Sequence, residues 1–235
     1  MPVQGPFIAT PLQDHIPGEL AALVQRTSGK ITDRDKKLGI DLLVDAYCDV
    51  VDHTLIGLLD EIGRTHDSSQ LKHAHLVAND VKDKARHYVG WAGGLIASHR
   101  LPPVIHHFNG LVHSIDLGAG DRSHAVLPVS SGLATRADII LGTLRDGSAK
   151  DLKEGVQLLT IIVDELMIPL AIEPKNLLNF NFLVSKPLDG AIGLVRTLIH
   201  RMLVRFGDQI TPELYPVVAR HLEKFLILQH EKGAV

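Results

Sequence analysis

Apolar residues return every three or four positions through most of this chain, the spacing of a helix face rather than of a strand. The pattern begins near Gly18 and predicts a short helix over 18–27. A longer helix follows over 32–63, with Thr32 placed to cap it, Asp33 and Asp35 in its first turn and Gly63 as its stop. Leu43, Tyr47, Val50, Val51, Leu55, Leu58 and Ile62 form its core stripe. A third helix opens at Ser68 or Ser69 and ends before Pro102. Gly90, Gly93 and Gly94 within it can bend the helix or admit a neighbouring backbone. Pro103 opens a short helix over 103–115.

The period then lapses. The glycine-rich stretch 116–132 reads as one long irregular loop, the place where a functional loop or a lobe boundary is expected. Helical spacing resumes over 135–146 and stops at Gly147. Ser148 with Asp151 resembles a capping box ahead of Leu152, Val156, Leu159, Val163 and Leu166. Pro169 is expected to stop that helix, and Pro174 to start a short one that Pro187 terminates. Leu188, Ile192, Val195, Ile199, Met202 and Phe206 repeat the four-three spacing on a helix over 187–206. Thr211 and Pro212 open a last helix that runs to about Gln229.

No hairpin signal and no strict alternation is found. The expected fold class is therefore all-α, a bundle of about seven to nine helices with the irregular loop near 116–132. Prolines at 2, 6, 11 and 17 make residues 1–17 an extended arm. Residues 18–235 then form a single helical domain, or two lobes over 18–115 and 133–235.

Composition narrows the function classes. Aromatic residues are only 4% of the chain, so the core must be built from Leu, Ile, Val and Ala. A net charge of −3 gives no basis for nucleic-acid binding. Cys48 is the lone cysteine, which excludes an internal disulfide and a multi-thiolate zinc site. The first residues lack the basic and apolar regions of a signal peptide. The apolar stretch 158–172 is broken by Asp164, Glu165 and Pro169 and reads as short of a membrane span. The expectation is a cytoplasmic protein.

Candidate chemistry centres on histidine. Ten of the fourteen histidines fall between His53 and His124. On the helix 32–63, Asp41, Asp45, Asp49 and His53 are four apart and track along one face. Asp45, Asp49 and His53 are thus candidate ligands for a divalent metal, against the simpler reading of a solvated acidic face. His66, His73 and His87, with Asp80, recur every seven residues. That spacing sets them about 10.5 Å apart, too far to share one metal. His106, His107, His113, Asp116 and His124 gather around the irregular loop and are candidate ligand-binding residues, with proton transfer or hydrolysis as the chemistry they would support. Arg196, Arg201 and Arg205 lie off the seam of the helix 187–206 and are candidates for an anion or an acidic partner. The seam itself suits a homodimer contact.

No complete catalytic motif is present, while aliphatic helix faces abound. The leading expectation is a helical protein that binds a small apolar or amphipathic ligand between its helices, or a protein partner. The alternatives are a metal- or histidine-dependent enzyme using the Asp/His groups, and a peripheral membrane protein that docks through the basic helix.

Overall fold

Thr32 and Asp35 set the start of the longest helical run. The Thr32 hydroxyl accepts the Asp35 backbone N–H at 3.2 Å, and the Asp35 carboxylate accepts the Thr32 backbone N–H at 3.1 Å, a reciprocal capping box. In the computed structural model, which describes residues 5–27, 29, 31–64, 66, 68–118, 120–147, 153–208 and 210–228, this run comprises α2 (Asp33–Val51), a widened π turn (Asp52–Ile56) and α3 (Gly57–Gly63). Before it lies α1 (His15–Arg26), and after it α4 (Ser69–Leu95), capped by the Ser68 hydroxyl. Pro102 starts α5 (Pro102–Gly110). The second half holds α6 (Ser131–Arg145), α7 (Lys153–Met167), a second π turn (Ile168–Ile172), α8 (Glu173–Leu178), α9 (Phe182–Gly207) and α10 (Tyr215–Glu223). The fold is a mainly helical bundle, as the spacing predicts.

The sequence pattern gives no sign of the small sheet beside the bundle. Phe7–Pro11 (β1), Val112–Asp116 (β2), Asp121–Pro128 (β3) and Leu226–Ile227 (β4) pair antiparallel in the order β2-β3-β1-β4. Residues 7–11 of the expected arm are thus an inner strand of that sheet, residues 15–17 begin α1, and the stretch 116–132 contains a strand rather than one irregular loop. Alternation is missing because both faces of the inner strands are covered. Ile8 and Leu127, opposite each other in register, join the main core. Phe7, Ala9 and Val126 form a separate cluster.

Other boundaries shift for local reasons. The helix expected over 103–115 ends at Gly110, where the chain enters β2. The third helix ends at Leu95, and a single 3₁₀ turn (Ser98–Arg100) leads to Pro102. α6 begins at Ser131 because the Ser130 hydroxyl accepts the Leu133 N–H at 3.1 Å. Neither Pro169 nor Pro187 ends a helix: the first lies in the second π turn and the second inside α9. After Pro212 there is a 3₁₀ turn (Pro212–Leu214), and α10 stops at Glu223 so that the chain can reach β4. The Ser148–Asp151 capping box, Leu152 and Gln229 lie outside the described residues.

α4 packs on α2 along one side and on α9 along the other, and α7 packs on α9. Two buried clusters result. One runs through α3, α6, α7, α9 and α10, the other through α1, α2 and α5, and Leu111 and Leu170 pack against both. Gly93 sets the α2–α4 approach, since a Cβ there would fall 2.6 Å from Ile40 Cγ1. Gly142, inside α6, has open space at the same position. Gly93→Ala is expected to lower unfolding stability by about 1–3 kcal/mol through overpacking. Gly142→Ala should raise it by roughly 0.5–1 kcal/mol through helix propensity. Denaturant melts of the two variants check both signs.

Candidate functional site

The candidate site histidines each hydrogen-bond to a nearby oxygen of the chain. His53 Nδ1 donates to the Asp49 carbonyl at 2.8 Å, one turn back on the same run. His107 Nε2 donates to the Pro169 carbonyl at 2.7 Å, His113 Nε2 to the Gly110 carbonyl at 3.0 Å, and His124 Nδ1 to the Arg122 carbonyl at 2.9 Å. His106 Nε2 lies 3.0 Å from the Thr27 hydroxyl. That hydroxyl's only proton goes to the Val24 carbonyl, so the imidazole donates there too. His113 and His124 face each other across β2 and β3. Asp116 is a turn residue whose carboxylate accepts the Gly118 and Gly120 N–H groups at 2.8 and 3.0 Å.

The acidic ladder is likewise divided among separate partners. Asp45 is 3.8 Å from His15. Asp49 is buried and accepts the Gln13 backbone N–H and the Gln13 side-chain amide, each at 3.0 Å. Among the described residues, no three His, Cys, Asp or Glu side chains stand close enough to hold a metal ion. Burial pushes the Cys48 thiol pKa up, against the opposing charges of Arg86 and Lys82.

On α9, Arg196 forks onto Asp164 of α7 with two hydrogen bonds of 2.6 Å, and His200 approaches the same carboxylate at 2.8 Å. Arg201 and Arg205 are exposed. The seam residues Leu188, Ile199, Met202 and Phe206 are buried within this chain. The run Lys153–Leu178, which contains the stretch 158–172, does meet the length and hydropathy of a membrane span, with a mean hydropathy of 1.8. Here its Leu158, Ile162 and Leu166 are buried in the bundle, Asp164 is ion-paired, and Glu165 accepts the Ser130 N–H and hydroxyl at 2.7 and 2.6 Å.

Together the helices build a cavity of about 220 Å³ between α2, α4, α7 and α9. Its walls are aliphatic, with Ile40, Leu43 and Val50 from α2, Ala85, Val89 and Ala92 from α4, Leu159, Val163 and Leu166 from α7, and Ala191, Val195 and Ile199 from α9. Both π turns contribute, through Thr54 and Leu55 and through Leu170 and Ala171. Among the described residues, the only side chains on this wall with polar atoms besides Thr54 are Tyr47, Tyr88, Lys175 and the thioether of Met167.

Each π turn has a carbonyl held by a histidine from another helix. His221 of α10 donates to the Thr54 carbonyl at 3.1 Å, as His107 does to Pro169. His221 is buried, and its Nδ1 lies 3.2 Å from Glu61, which also pairs with Lys224. Sequence reasoning misses His221 because a histidine on a terminal helix carries no spacing signal. It expects a ligand space between helices but does not give the residues that line it, because a stripe lining a void and a stripe filling a core look alike in sequence. No family model matches this chain, and no curated protein or solved structure shows significant similarity to it.

Burial tends to raise the Asp164 pKa, but the Arg196 hydrogen bonds and the charges of His200 and Arg196 outweigh it, so the carboxyl titrates below its ordinary value. A lowered folded-state pKa means the unfolded chain binds the proton more readily. The stabilisation from Asp164 is then complete above the ordinary carboxylate pKa of about 4 and is lost as pH falls through the lower folded value. Asp164→Asn is expected to lower Tm at neutral pH, and the gap to wild type should close below about pH 4. Melting curves of both proteins across acidic pH check this.

Proposed function

We propose that this chain binds an elongated apolar or amphipathic small molecule in the cavity between α2, α4, α7 and α9. The observation that carries the reading is the void itself, about 220 Å³ bounded almost wholly by hydrocarbon. Left empty, such a space forfeits dispersion contacts along its walls. Filling it with water is no remedy, because an apolar void offers water too few hydrogen-bonding partners. An apolar ligand restores the lost contacts and is itself removed from water.

The walls also indicate shape. Lining residues on α9 run from Leu188 to Leu203, a rise of about 22 Å. A volume this small along such a length fits one hydrocarbon chain rather than a broad ring system.

A ligand present at a hundred times its Kd should stabilise the protein by about 2.7 kcal/mol. Native mass spectrometry of the purified protein, with solvent extraction of any bound mass and thermal melts against aliphatic compounds of graded length, checks the reading. Ala191→Phe places a ring in the cavity. It is expected to abolish ligand-induced stabilisation while leaving the unliganded melt at or above wild type. If no co-purified mass is found and no aliphatic compound shifts the melt, the reading fails.

A second reading, contact with a lipid surface, is favoured by one observation. Ile168, Ile172, Leu177, Phe182 and Leu183 are all exposed within a short stretch of chain, the last two at 73% and 80%. The basic helix 187–206 is less suited to that role, because Arg196 already serves Asp164. The Phe182→Ser/Leu183→Ser double variant is expected to lose flotation with neutral and anionic liposomes. Flotation unchanged by the substitutions, or absent in wild type, removes the second reading alone.

A further inference from the structure

Among the described residues, two phenols on the cavity wall, those of Tyr47 and Tyr88, have no hydrogen bond within the chain. Lys175 is paired with Asp189 at 2.5 Å, and the Thr54 hydroxyl donates to the Val50 carbonyl at 2.6 Å. Tyr88 of α4 is half-buried, and its ring meets that of His87 edge-on with centroids 5.4 Å apart. Tyr47 is different. Burial alone drives its phenol pKa far above the ordinary tyrosine value, with no charge or hydrogen bond contributing. Yet part of its surface remains open. Both hold together when the open part faces an internal void instead of bulk water, and Tyr47 borders the 220 Å³ cavity as well as a second void of about 20 Å³.

A phenol excluded from water and left unbonded is costly, by about 1–3 kcal/mol, and buried tyrosine hydroxyls ordinarily find a partner. The Tyr47 ring is held firmly, edge-on to Phe108 with centroids 5.7 Å apart, so the hydroxyl is presented in a fixed place. The missing partner is therefore expected on the ligand.

Resting on the ligand-binding reading above, we infer that the cavity selects an uncharged aliphatic molecule carrying one hydrogen-bond acceptor, such as a ketone or ester carbonyl, which accepts a hydrogen bond from the Tyr47 hydroxyl. A carboxylate is disfavoured. The only cation among the described wall residues is already neutralised by Asp189, and an unpaired anion among aliphatic side chains has no compensation for its lost hydration. The carbonyl needs no such compensation. Its hydrogen bond removes the deficit of the phenol at the same time.

Three probes of equal chain length separate the outcomes: dodecane, methyl decyl ketone and dodecanoate, each titrated against a fluorescent apolar reporter on the full chain. Wild type is expected to bind the ketone about three- to tenfold more tightly than the alkane, the worth of one hydrogen bond, and both more tightly than dodecanoate. Tyr47→Phe should make ketone and alkane equal, leave alkane affinity unchanged, and leave the unliganded melt unchanged or higher, because it removes an unbonded polar group. Equal binding of ketone and alkane to wild type, a preference for dodecanoate, or a ketone preference that survives Tyr47→Phe overturns the inference while the ligand-binding reading stands. A lower melting temperature for unliganded Tyr47→Phe also overturns it, since the hydroxyl would then have a structural partner. Failure of all three probes to bind overturns both.

Discussion

A carbonyl released from a helical ladder inside a protein must find another donor. In this bundle each of the two π turns, 52–56 and 168–172, has a carbonyl that accepts from a histidine on a distant helix. The consequences reach across the fold. His221 can come close to the first turn only because Gly57 has no side chain, since a Cβ there would lie 3.1 Å from its Cε1. Glu61, one turn further on, then faces the other ring nitrogen and binds Lys224 in addition. Helix α10 is thereby fastened to α3. At the second turn, His107 fastens α5 to the α7–α8 run. A π turn adds a residue to the coil and rotates the helix beyond it. A long helix can then keep apolar side chains on one wall past the point where regular period would turn them away. The two widened turns and the two imidazoles are parts of one device for lining a cavity.

The same device explains why the cavity does not collapse. Small residues on α4 and α9, among them Ala85, Ala92 and Ala191, leave space that neighbouring aliphatic side chains do not reach across. The chain has few aromatic rings with which to fill it. Helices free to slide would close such a gap. Here Arg196 and His200 tie α9 to α7 through Asp164, Lys82 ties α4 to Asp52 at the first π turn, and Gly93 seats Ile40 between α2 and α4. Each tie joins two of the elements that line the void.

The helical class and much of the element order were legible from spacing, and so was the capping of 32–63 by Thr32. These are local properties, set by residues a few positions apart. The sheet was not legible, because its strands are short and come from distant parts of the chain. In β1 and β3 burial on both faces erases alternation. Proline was over-read as a stop signal. At Pro187 the helix lacks one N–H, but Leu183, whose carbonyl would have received it, is 80% exposed and can turn to water. The histidine cluster drew attention for its chemistry, and in the structure its candidate rings hydrogen-bond to oxygens of the chain. Spacing along one helix cannot reveal that His107 meets Pro169, or that Asp49 serves Gln13.

The choice of histidine at the π turns also bears on what the cavity holds. Lysine or arginine could donate to a stray carbonyl equally well, but each would bring an obligatory positive charge to the back of an aliphatic wall. An imidazole donates to the carbonyl through one nitrogen and can turn the other to a carboxylate, as His221 turns Nδ1 to Glu61, so that any charge it carries is paired at the site. The formal charges near the bundle's helices are arranged on the same principle. Asp164, Asp52 and Asp189 each face a cation on a neighbouring helix, and Glu61 faces Lys224, so local charge is cancelled in pairs. The space between the walls is thereby left without an unpaired charge among the described residues, and with the phenols of Tyr47 and Tyr88 among its few polar features. Attraction by charge, the usual means of drawing a ligand from water, has little to act on there. Recognition must come from the length and width of a hydrocarbon chain and from one hydrogen bond placed along it.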